Sequence, residues 1–151
     1  MKNYIFVTVL AVAVAASGCT SFEHTSTTTG PSATGVSALM GTWASASSVI
    51  PSASTCSDFK WNATELTATN VKGTFGATCA GVLTVSGTAQ GTLSGSVIAW
   101  TANGTAQAPL LPSCAITLSG TAELGTNSIR VPYSGDTCLG KVSGVEVLNK
   151  K

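Results

Sequence analysis

The sequence predicts an all-β domain: an eight-stranded antiparallel up-and-down meander that closes, fully or partly, into a barrel. A β-sandwich is the alternative. Two observations point there. After Leu39 one short pattern recurs, as MGTW at 40–43, KGTF at 72–75, SGTA at 86–89, NGTA at 103–106, SGTA at 119–122 and SGVE at 143–146. Steps of 14 to 17 residues between successive glycines from Gly73 to Gly120 suit one strand plus one turn. The flanking residues also alternate. Leu83, Val85, Gly87 and Ala89 share one face, and Cys114, Ile116, Leu118, Gly120 and Ala122 share another. Period-two alternation marks a half-buried strand.

Parsing by turns places strands at 40–47, 58–69, 71–79, 82–92, 96–107, 114–124, 127–134 and 141–149. Tight connections such as LSGS at 93–96 and LGTN at 124–127 make consecutive strands neighbours. Eight strands suffice for a small barrel whose lumen is packed or holds one ligand. Glycine inside strands marks bends or close backbone approach, so its recurrence predicts a coiled sheet. Pro132 cannot donate to a ladder and predicts a bulge or open seam in the seventh strand.

The chain opens differently. Lys2 precedes an apolar run from Tyr4 to Ala16, too short for the roughly 20 residues of a membrane-spanning helix. A basic start, a short apolar stretch and small residues form a secretory signal. Ala16-Ser17-Gly18-Cys19 resembles the lipobox of bacterial lipoproteins, with Ala16 where that family usually has Leu. The resemblance implies a signal peptide over 1–18, acylation of Cys19 and anchorage in a lipid bilayer of the cell envelope. Thr20, in place of Asp, is compatible with outer-membrane sorting in Gram-negative members. Acylation of Cys19 would leave four of the five cysteines to pair. Residues 19–37, rich in Ser and Thr, read as the lipidated Cys and a flexible tether, and 38–151 as one domain.

Beyond residue 18, six basic residues balance six acidic ones. No basic patch exists for nucleic acid. The only histidine, His24, lies in the tether, which removes Ser–His and Cys–His machinery from the domain. No motif selects a catalytic carboxylate pair, and the cysteines lack zinc-site spacing. The expectation is a non-catalytic protein without cofactor or metal.

Cys56 and Cys79, 23 residues apart, and Cys114 and Cys138, 24 apart, each lie at the open ends of a hairpin. Neighbouring antiparallel strands bring Cα atoms within bridging range, which predicts the pairs Cys56–Cys79 and Cys114–Cys138. Loop-entropy reasoning assigns about 3 kcal/mol to each bridge.

Glu146 raises a question of register. With Val142, Gly144 and Leu148 it would face the core, where an acid needs a partner. A slip that turns Val145 and Val147 inward would leave Glu146 in water, and this is the simpler expectation. If inward, Glu146 becomes the main polar residue of the lumen.

GTW at 41–43, opening an eight-strand meander, resembles the start of lipocalins and avidin-type barrels. There the Trp packs at the closed end, often beneath an Arg from a late strand. The resemblance implies that end for Trp43; Arg130, the only arginine, lies on strand seven and its alternation points it outward. A ligand-binding barrel of this kind would take a small apolar molecule in a lumen around Trp43, Trp61 and Trp100. The alternative is a protein-interaction module, such as an inhibitor of a lysozyme or protease, or a structural envelope protein. For the interaction module the contact loops would be 48–57 and 108–113, with Leu110 and Leu111 an exposed apolar tip.

Overall fold

The computed structural model describes residues 35–47 and 52–151. Eight strands follow a short 3-10 helix, Gly35–Leu39: β1 Gly41–Ser45, β2 Cys56–Leu66, β3 Asn70–Cys79, β4 Leu83–Ser94, β5 Val97–Ala108, β6 Leu111–Leu124, β7 Ser128–Thr137 and β8 Gly140–Lys150. Each pairs antiparallel with the next, and β1 pairs with β8 to close the barrel. The sandwich alternative is thereby replaced. Closure gives every strand a neighbour on both sides over at least part of its length. The sheet needs nothing from residues before Gly35 to complete itself.

The alternation does what it predicts. On β4, Leu83, Val85, Gly87 and Ala89 face the lumen while Thr84, Ser86, Thr88 and Gln90 face out. Inward glycines make the tight curvature possible. At Gly73, Gly87, Gly104, Gly120 and Gly135 a Cβ would collide with a carbonyl oxygen of the adjoining strand. Glycine also makes room for the aromatics: Phe75 pairs with Gly87, Trp100 with Gly91 and Gly120, and Tyr133 with Gly144.

The two ends of the barrel differ. At the helix end lie the 3-10 helix and the turns at 67–69, 95–96 and 125–127. At the disulfide end lie the turns at 80–82, 109–110 and 138–139, with the connection from β1 to β2. Cys56–Cys79 and Cys114–Cys138 both bridge there, with Cα separations of 3.9 and 5.9 Å. The first bridge is buried in the core; Cys138 of the second is exposed.

Several expectations need correction. Residues 35–37, assigned to the tether, belong to the helix that covers one end, and Leu39 at its close is fully buried. The 108–113 loop is a two-residue turn, because Leu111 already pairs with Ala108. The seam expected at Pro132 is only local, because the barrel stays closed. Pro132 does interrupt the β6–β7 ladder, which breaks between Ser119↔Ser134 and Glu123↔Arg130 and resumes in the same register. The signal, Cys19, the rest of the tether, and residues 48–51 of the first contact loop lie outside the described residues.

Candidate functional site

The lumen is packed at one end and hollow toward the other. Near the disulfide end, the Cys56–Cys79 bridge, Leu83, Val85, Ala106, Ile116 and Val142 fill it. Toward the helix end, a cavity of about 70 Å³ remains. Phe59, Trp61, Val71, Phe75, Ile98, Trp100, Ala102, Ala122, Ile129, Val131 and Leu148 line it. Its wall presents no polar atom. Ala89 and Gly91, with exposed Lys60 and Gln90, complete the lining, and the last two mark its approach to solvent. The cavity lies behind the ladder gap, since Ala122 and Val131 come from the two unpaired segments.

The three tryptophans named from sequence separate. Trp61 and Trp100 line the cavity; Trp43 does not. Trp43 is 1% exposed, and its Nε1–H donates to the Leu39 carbonyl at 2.9 Å. The ammonium of Lys150 stands 5.5 Å from its ring centre and donates to the Ala38 carbonyl at 3.0 Å. Trp43 thus fastens the helix to the barrel end. Its cation comes from the last strand, while Arg130 is exposed. The alternation could have found Lys150 only with the β1–β8 register, Trp43↔Lys150, in hand.

Trp61 and Trp100 have no such bond. Their Nε1 atoms are buried and lack a hydrogen-bond partner, as does Ser57 Oγ. A buried donor left unpaired costs about 1–3 kcal/mol. Both rings are therefore positioned by packing alone.

Glu146 faces inward, 3% exposed, and the expected slip is wrong: Val145 and Val147 are exposed. The reason lies in β1, which stops at Ser45 while β2 and β8 continue. Ser45 Oγ donates to Glu146 Oε2 at 2.9 Å and accepts the Phe59 N–H at 2.9 Å. Serine and carboxylate together take over where the strand ends. Burial pushes the Glu146 carboxyl above its ordinary range, the Ser45 bond opposes this, and Asp58 adds to it. Glu146 is not among the cavity-lining residues, so it is a seam residue rather than a ligand contact.

Tyr133 closes the same seam one level up. Its hydroxyl accepts the Cys56 N–H at 2.6 Å and donates to the Cys56 carbonyl at 2.9 Å. Desolvation raises its pKa, the Cys56 bond lowers it, and the nearby Glu146 raises it further. Nothing in the sequence marked Tyr133 beyond its being one of the domain's aromatics.

Leu110 and Leu111 are exposed at the disulfide end, as their turn position suggested, and Leu110 is fully so. Leu110 has φ 65°. With Pro109 before it, it occupies the position of a type II turn that favours glycine. Comparison of the chain with protein-family models, with curated proteins and with solved structures finds no match.

Proposed function

We propose that this chain is a lipid-anchored bacterial envelope protein whose barrel binds, without catalysis, a small uncharged apolar molecule in the lumen. The observation that carries the binding site is the apolar cavity walled by Trp61 and Trp100. Anchorage rests on the lipobox-like Ala16-Ser17-Gly18-Cys19.

The wall chemistry selects the ligand class. A charged group entering it would lose its hydration against an apolar wall, with the Lys60 side chain left outside in solvent. An apolar molecule gains by leaving water. The volume selects the size. About 70 Å³ is less than the roughly 150 Å³ of an apolar void that holds benzene. The site suits a molecule of a few heavy atoms, or a single ring when Trp61 or Trp100 turns aside. Neither indole is held by a hydrogen bond, so such a turn breaks none.

Titration with toluene, and separately with benzoate, tests this through tryptophan emission. Trp43 is fixed by Leu39 and serves as the constant background. Toluene is expected to shift the emission saturably and benzoate to leave it unchanged. No saturable response to toluene, or an equal response to both, would contradict the proposal.

A further inference from the structure

The two ends of the barrel differ in their exposed apolar surface: among the described residues, at the helix end it is limited to Met40 and Val97, each 42% exposed. At the helix end the turns read Thr67-Ala68-Thr69, Gly95-Ser96 and Gly125-Thr126-Asn127, with no large apolar residue. At the disulfide end each of the three described hairpin turns carries an exposed large apolar side chain. These are Val82 after β3, Leu110 between β5 and β6 with Leu111 at the start of β6, and Leu139 between β7 and β8. The three hairpins are spaced around the barrel, so these side chains form a rim rather than one projecting finger.

We propose that this rim is a lipid-contacting surface, whose Val82, Leu110, Leu111 and Leu139 dip into the nonpolar edge of a bilayer. The charge pattern selects that occupant. No charged residue lies in the turns at 80–82, 109–110 and 138–139 or at 52–55. Behind the rim lie exposed Asp58 and the ion pair of Asp136 with Lys141 at 3.2 Å. A neutral rim has nothing to complement on a charged partner surface, and hydrocarbon asks for no charge.

Backbone chemistry points the same way. A peptide group entering an apolar phase must bring its hydrogen-bond partner with it. Pro109 and Pro112 flank the two leucines and have no N–H to dehydrate. The Leu139 N–H donates to Thr137 Oγ1 at 3.1 Å, and that hydroxyl donates to the Gly140 carbonyl at 2.8 Å. The Val82 N–H donates to the Cys79 carbonyl at 3.2 Å. The Cys114–Cys138 bridge, exposed at Cys138, ties the Leu139 turn to β6, the strand that starts at Leu111. Leu110 holds its left-handed conformation where glycine would be less strained, and exposes its whole side chain there.

Geometry allows the rim to reach the bilayer that would hold Cys19. The fifteen residues between Cys19 and Gly35 can span up to about 50 Å. The barrel is roughly 30 Å tall, from strands of about 12 residues tilted in the usual way.

The test uses the chain from Thr20 onward, which lacks the anchor, exported so that both bridges form, with phosphatidylcholine vesicles and co-sedimentation. Binding is expected, with less than a twofold change between low and high salt. Leu110→Gly and Leu139→Ser are each expected to weaken it at least threefold, and Val97→Ser at the helix end to leave it unchanged. Leu110→Gly is the decisive variant, because it relieves the turn and is expected to raise the melting temperature while lowering vesicle binding. Absence of binding to neutral vesicles, binding only to anionic vesicles, or full binding by Leu110→Gly would overturn the proposal. So would self-association or capture by a protein cleft that Leu110→Gly abolishes without any vesicle binding.

Discussion

The Tyr133 hydroxyl completes the backbone of Cys56, accepting its N–H and donating to its carbonyl, 77 residues away in sequence. It does so where β1 has ended and β2 has no strand on that side. Tyr133→Phe would leave both backbone groups buried and unpartnered. A loss of roughly 2 kcal/mol is expected in denaturant unfolding. Gly144→Ala tests the same contact from the other side, because a Cβ there would lie 2.6 Å from the Tyr133 oxygen. It too should destabilise the barrel.

The two disulfides close loops of nearly equal length, so chain entropy alone would make them equivalent. Burial separates them. Replacing Cys56 and Cys79 together by Ala also removes fully buried core packing, whereas Cys114 is half-buried and Cys138 exposed. The first double variant is expected to lose about 1 kcal/mol or more beyond the second, by the usual cost of buried atoms. Paired denaturant curves would measure it.

Glu146 gives the barrel a pH dependence of definite sign. Its folded pKa is raised, chiefly by desolvation. The unfolded chain therefore gives up this proton at lower pH than the folded one. The contribution is fully present below the unfolded pKa and is lost as pH rises through the folded value. Stability from this group is thus expected to fall from mildly acidic pH toward neutrality. Glu146→Gln keeps an acceptor for Ser45 and removes the charge. Melting temperatures across pH 4–8, as a convenient window of about four units around carboxylate values, should show a flatter profile for the variant. A profile identical to that of the parent would contradict the assignment.

The cavity also makes a structural prediction. Ala122 lines it and is buried. Ala122→Val places two carbons in empty space. Stability is expected to rise by about 0.5–1 kcal/mol, as cavity filling commonly gives. Toluene binding should weaken in the same variant, which calorimetry would register.

The sheet was legible because its signal is local. Leu83, Val85 and their neighbours alternate, and the Gly-Thr repeat spaces the strands. The cysteine pairs followed from the same hairpin geometry. What eluded the sequence depended on pairings between distant strands. The orientation of Glu146 is decided by where β1 stops, which alternation within β8 does not encode. Lys150 covers Trp43 only because β8 pairs with β1. Trp61 and Trp100 were legible as inward aromatics, but the hollow between them depends on how much of the lumen Ala102, Ala122 and the glycines leave empty.

The measurement that bears most directly on the binding claim is native mass spectrometry of the protein taken without denaturant from the cells that make it. A covalent acyl mass on Cys19 would survive denaturation; a lumen ligand would not. The expected result is a reproducible small adduct on the folded chain, lost on denaturation and reduced by Ala122→Val. A bare folded chain in every preparation, unchanged after equilibration with toluene, would contradict the claim that the barrel is a carrier of small apolar molecules.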